Sequence, residues 1–244
     1  MAEKLLKWLN RCLNAAVVLV IVTAMVYSLY SIWDNNSIYG AALDISQRIL
    51  QEKPDDDRPS FDDLQRINPD VCAWVTMDGT KIDGPIVQGD DNEEYLNKDV
   101  YGEYSLAGTL FLDTRCSRDF RDFNELIYGH HMEKHAMFGD LDLYKSAGYY
   151  AEHPMMRLFT PDGDYDVAIF AAYSVDGATF AYPTVFTGRA GFDEFLHRAR
   201  SRSCFTTDVE VGYGDRILML STCAYSYENE RFLVVGKILE NEAE

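Results

Sequence analysis

Basic side chains are scarce in this sequence: 22 Lys and Arg stand against 40 Asp and Glu, a formal net charge of −18. Lys4, Lys7 and Arg11 fall before residue 34 with only Glu3 beside them, so the remainder is more acidic still. Such a surface repels phosphate backbones, which excludes nucleic acid as a partner. It suits solubility and is compatible with a cationic partner. Cysteine is sparse too. Cys12, Cys72, Cys116, Cys204 and Cys223 show no framework spacing. Cys72 and Cys204 are expected as lone buried thiols. Internal repeats and low-complexity tracts are absent, which excludes repeat architectures. Apolar residues, by contrast, make up 47% of the chain, with 16 Tyr and 13 Phe, enough for a hydrophobic core.

Charge is missing altogether from Cys12 to Trp33. At 1.5 Å rise, a run of about 20 apolar residues matches a hydrocarbon core of about 30 Å. It exceeds a signal-peptide h-region, and no small-residue cleavage site follows. Residues 12–33 therefore read as a transmembrane signal anchor embedded in membrane lipid. Lys4, Lys7 and Arg11 precede it and Asp34 follows. The positive-inside rule then puts residues 1–11 in the cytoplasm and the rest outside the cell, as a single-pass membrane protein. Residues 34–70 read as a membrane-proximal helical segment and linker, and 71–244 as the main folded domain. Within the former, Ile38 to Glu52 is expected as a helix, Pro54 to Pro59 as a linker, and Ser60 as the cap of a short helix to Ile67.

From Val71 the pattern turns to short strands. Val71–Val75 and Ile82–Val87 flank Asp78-Gly79, a turn signal. Gly108–Leu112 and Glu125–Tyr128 follow, with one helical turn expected within 91–96. Met155–Phe159 and Tyr165–Tyr173 flank Pro161-Asp162-Gly163-Asp164, a hairpin signal. Phe192 to Ser201 places Phe192, Phe195, Leu196 and Ala199 on one helical face. Arg216–Thr222 and Arg231–Leu239 close the series. Many short strands with few helices predict a mostly β fold, as a closed barrel, with an open sandwich as the alternative.

The chemistry-bearing residues gather late. Ile217-Leu218-Met219-Leu220 is an unbroken apolar run, as in a strand buried on both faces. It ends at Ser221-Thr222-Cys223, so the thiol emerges where a buried strand surfaces. Arg231 opens the next apolar strand. If the two strands pair, Cys223 and Arg231 face one another. A guanidinium there can lower a thiol pKa or stabilise an oxyanion. A thiol nucleophile also needs a base. His130 follows the strand 125–128 and Gly129, whose flexibility would open the strand end toward a cleft. His153 and His197 read as surface residues.

These residues carry a resemblance. Leu220-Ser221-Thr222-Cys223 with Arg231 resembles the sortase signature T-L-x-T-C plus a downstream Arg. Tyr128-Gly129-His130-His131-Met132 resembles the class B form Y-G-H-N-M. Residues 68–74, 85–96 and 137–141 resemble the same class, in the same order. The resemblance implies an eight-stranded sortase-type β-barrel with N-terminal helices and an inserted helix before the catalytic strand. It implies a cysteine transpeptidase in which Cys223 attacks the Thr carbonyl of a C-terminal sorting signal on a secreted protein. A thioester forms, and an amine, usually of a peptidoglycan cross-bridge, resolves it. His130 would serve as general acid and base, and Arg231 would hold substrate and oxyanion. Asn92, Leu96, Tyr128, Ser221 and Thr222 would contact substrate. The chemistry needs no cofactor and no metal.

Two positions depart from the pattern. Met219 replaces the first Thr and is expected to point away from the thiol. His131 replaces Asn and leaves three His within six residues; with His135 it could hold a metal, but no third ligand is evident. Two other acyl acceptors stay open at this level: a pilin Lys, making the enzyme a pilin polymerase, or water, making it a secreted cysteine peptidase. An anchored binding module without activity is a further alternative.

Overall fold

The structure, a computed structural model, describes residues 1–54, 61–132, 135–224 and 229–239. Most of the expected linker and the Ser60 cap lie outside the described residues. Residues 1–41 form one compact unit and 42–244 a second.

Helix α1 runs unbroken over Ala2–Ile49, rather than stopping after the apolar run. Asp34-Asn35-Asn36-Ser37 contains neither Pro nor Gly to break it, and the Ser37 hydroxyl donates back to the Asp34 carbonyl at 2.7 Å. This helix, with its one-turn extension to Glu52, is long and apolar enough to cross a membrane. In the second unit Ala42 and Ile49 on its last turns are buried.

α2 (Asp62–Ile67) leads into β1 (Val71–Thr76), and β2 (Asp83–Val87) returns antiparallel to it. β3 (Leu110–Leu112) and β4 (Asn124–Tyr128) follow. After α3 (Ala147–Glu152) come β5 (Met155–Thr160) and β6 (Gly163–Asp176), joined by the two-residue turn Pro161-Asp162. α4 (Gly188–Arg202) precedes β7 (Ile217–Cys223) and β8 (Glu230–Ile238). The strands close into a barrel in the order β1-β2-β3-β4-β7-β8-β6-β5. Closure leaves no free edge among these strands.

Pleating sorts the side chains. On β1, Ala73 and Val75 enter the main core, while Trp74 faces the second cluster with Ile49, Leu64 and Phe159. β7 lies between β4 and β8 with all of Ile217–Thr222 buried, as its apolar run required.

Three details differ from expectation. Residues 138–145 form a 3₁₀ segment and 147–152 form α3, neither anticipated; both are too short to show a period. Cys204 is exposed, not buried. Its N–H is tied to the Ala172 carbonyl at 2.8 Å, which fixes the backbone at the exit of α4 while the side chain stays outside. Met219 does not point away from Cys223. A period of two puts 219 and 223 on one face, and Met219 lies about 13 Å down the strand. It is wholly buried in the main core there, well below the thiol.

Candidate active site

The site forms where β4, β7 and β8 end together. β4 runs parallel to β7 with Tyr128 opposite Ser221, and β8 runs antiparallel to β7 with Arg231 opposite Cys223. The Ala224 N–H donates to the Glu230 carbonyl at 3.0 Å and locks the β7–β8 pair just beyond the thiol. The Thr222 hydroxyl donates to the Gly129 carbonyl at 2.9 Å, and the Gly129 N–H donates to the Ser221 carbonyl at 3.2 Å. These bonds hold His130 next to the end of β7.

Gly129 matters through its missing Cβ rather than through flexibility. A Cβ there would meet the Phe138 ring and Leu110 at 2.6 Å. Gly177 has a related role: a Cβ would meet Arg231 Cγ at 2.8 Å.

The structure brings all the expected site residues to one cleft. Cys223, His130 and Arg231 line it, and so do Asn92, Leu96, Tyr128, Ser221 and Thr222. Cys223 and Arg231 are both partly exposed.

The His130 Nε2 sits 2.7 Å from the Leu96 carbonyl oxygen. A carbonyl only accepts, so Nε2 carries the proton and, in the neutral ring, Nδ1 is the free lone pair. Leu96 thus enters the site through its backbone. Arg231 Nη1 donates to the Glu230 carbonyl at 3.1 Å, which braces the guanidinium. Burial pushes the Cys72 and Cys116 thiols up to about 12, so neither supplies a thiolate near neutral pH.

Sequence reasoning missed Phe111 and Tyr182, which also line the cleft. The Tyr182 hydroxyl is 3.2 Å from Ser221 Oγ, and its ring packs edge-on against Tyr128 at 5.7 Å. Burial raises the Tyr182 phenol, with the Ser221 hydroxyl and Arg231 acting against the rise and Cys223 adding to it. The only sequence signal was the aromatic pair Phe180-x-Tyr182 before Pro183, in a loop with no period.

His131 and His135 turn to separate carboxylates. His131 Nε2 is 3.0 Å from Asp142, and His135 bonds Asp140. Among the described residues no group of three or more His, Cys, Asp or Glu could hold a metal ion.

A closed eight-stranded barrel with a thiol, an imidazole and a guanidinium around one strand-end cleft is the arrangement of a sortase-type cysteine transpeptidase. No protein-family model matches the chain. It is 32% identical over 196 residues to sortase B of Staphylococcus aureus, covering 80% of each chain. Over 184 residues it is 35% identical to sortase B of Listeria monocytogenes, covering 75% of each. A crystal structure of the Staphylococcus aureus protein superposes with TM-score 0.72 at 28% identity, over 86% of this chain and all of that one. Clostridium perfringens sortase B superposes with TM-score 0.71 at 31% identity, over 74% of this chain and all of that one. The chain belongs to the sortase B family, whose members are cysteine transpeptidases of the cell envelope.

Proposed function

We propose that this enzyme cleaves a C-terminal sorting signal after Thr and joins the released carbonyl to an amine of the peptidoglycan cross-bridge. The observation that carries this is the cross-strand register of Cys223 with Arg231 beside His130. His130 Nδ1 takes the Cys223 thiol proton as the sulfur adds to the Thr carbonyl carbon. Arg231 faces the oxyanion that forms, and its fixed charge stabilises that oxygen more than the ground-state carbonyl. The peptide C–N bond breaks as His130 gives its Nδ1 proton to the leaving amine. A thioester remains on Cys223. The acceptor amine then loses a proton to Nδ1 and attacks the thioester, and the thiolate leaves as an amide forms.

Relatives support the two substrates. One Staphylococcus aureus sortase B structure is a substrate complex, and another sortase B structure is complexed with triglycine, which offers an amine. The proposed substrate contacts are Asn92, Leu96, Tyr128, Ser221 and Thr222. The apolar part of α1 would anchor the enzyme, with the N-terminus in the cytoplasm and the barrel outside.

The test is the full chain in detergent micelles, incubated with a panel of sorting peptides with and without triglycine, and read by product mass. A product carrying triglycine on the Thr carboxyl supports the proposal. Hydrolysis alone, unchanged by triglycine, refutes transpeptidation.

A further inference from the structure

The wall of the cleft rests on a group that none of these roles uses. Asp113, at the end of β3, has a wholly buried side chain. A buried carboxylate is costly unless its oxygens are satisfied, and here donors surround it. Arg115 gives a fork: Nε donates to Oδ1 at 2.9 Å and Nη2 to Oδ2 at 2.8 Å. The Arg115 N–H adds a third bond to Oδ1 at 2.9 Å. The Tyr128 hydroxyl donates to Oδ2 at 2.9 Å. Burial alone would raise the carboxyl, yet these donors hold it below the ordinary carboxylate range. The Tyr128 phenol is pushed up by burial and by the Asp113 charge, so it stays protonated and donating.

The same turn reaches a second wall residue. The Thr114 N–H donates to Asn92 Oδ1 at 2.9 Å. Gln88 Nε2 closes the turn by donating to the carbonyls of Asp113 at 3.1 Å and Cys116 at 2.8 Å. Two consequences follow for the cleft. Tyr128 spends its hydroxyl on Asp113, so it meets a ligand with its ring, which packs against Phe111 at 5.2 Å. Asn92 spends its amide oxygen on the turn, so its NH₂ is the end left to donate to a bound carbonyl.

We propose that Asp113 is a positioning residue for the acyl-donor peptide. One buried anion, clamped by Arg115, fixes Tyr128 and Asn92 as a pair on the cleft wall. The inference rests on reading the cleft as the sorting-peptide site.

Asp113→Asn in the full chain tests it, because the variant keeps the shape and removes the charge. KM for a sorting peptide rises about tenfold with kcat within about twofold, as for lost uniform binding through a charge-assisted network. Alkylation of Cys223 by iodoacetamide, read at that residue by mass, stays at the wild-type rate. Tyr128→Phe raises KM by less, and the double variant is no worse than Asp113→Asn alone, since both act through one bond. An unchanged KM overturns the inference. So does a double variant whose effects multiply, or an equal slowing of iodoacetamide. Should Asp113→Asn not fold, Arg115→Gln at its half-exposed position releases the same carboxylate and carries the same expectations. If the wild type accepts no sorting peptide, the functional reading falls. Asp113 is then judged by a peptidyl chloromethyl ketone, whose attack on Cys223 the variant must slow while iodoacetamide is unaffected.

Discussion

Cys223 and Arg231 are direct cross-strand partners at the last pair of the β7–β8 ladder. Their separation is set by sheet geometry rather than by side-chain choice, since partners across an antiparallel pair stay within about 5.5 Å between Cα atoms. A guanidinium so placed is a planar fork, which an ammonium does not reproduce. Arg231→Lys is therefore expected to lower kcat/KM by about a hundredfold or more, as for loss of an oxyanion donor. Wild-type rates of peptide cleavage in that variant would remove Arg231 from the chemistry.

The two adjacent imidazoles are expected to separate cleanly. His130 is oriented by the Leu96 carbonyl, and His131 is turned to Asp142. His130→Ala abolishes turnover. His131→Ala keeps it, with a stability loss of about 1 kcal/mol for the bond removed. Peptide cleavage assays and thermal melts of both variants check this, and the reverse pattern would assign the base to His131.

Gly177→Ala is expected to lower activity as well as stability, whereas Gly129→Ala acts chiefly on stability. The added methyl meets Arg231 Cγ at 2.8 Å and the Asn229 backbone carbonyl oxygen at 3.1 Å. Displacing the guanidinium lowers kcat by about tenfold or more. Gly129→Ala meets Phe138 and Leu110 at 2.6 Å and destabilises by about 1–3 kcal/mol through overpacking. Comparing kcat with melting temperature for the two variants checks the contrast.

Stability should fall with rising pH through one buried group. Burial pushes the Glu125 carboxyl up to about 8, with the Asp122 charge adding to the rise. Below its ordinary value of 4.5 both folded and unfolded chains hold the proton, and no stability is lost. Between there and about 8 the folded chain keeps a proton that the unfolded chain releases, so stability falls as pH rises. The full loss, on the order of a few kcal/mol, is present above the folded value. Denaturant titrations from about pH 4 to 9 should show this slope, and Glu125→Gln should flatten it. An identical slope in the variant would place the effect elsewhere.

The barrel was legible where burial imposes a simple pattern. The run 217–220 announced a strand covered on both faces, and Pro161-Asp162 marked the β5–β6 turn because hairpin chemistry is local. The unbroken α1 was harder, since polarity at 34–37 suggested a boundary while helix continuity depends on backbone bonds that those residues still make. Cys223 and Arg231 were readable as candidates from their places at strand ends, and it was the resemblance of 128–132 and 220–223 with Arg231 to the sortase signature that joined His130 to them. Asp113 left no mark in the sequence and Tyr182 only an aromatic pair without a period: each is a single side chain in a turn or loop. Their importance comes from what the barrel closes around them, not from their neighbours in the chain.

The most direct measurement is the intact mass of the enzyme during reaction with a sorting peptide. The account predicts a transient adduct equal to the peptide fragment ending in Thr, mapped to Cys223 and discharged by triglycine. Turnover that persists in Cys223→Ala, or an adduct on any other residue, would contradict it.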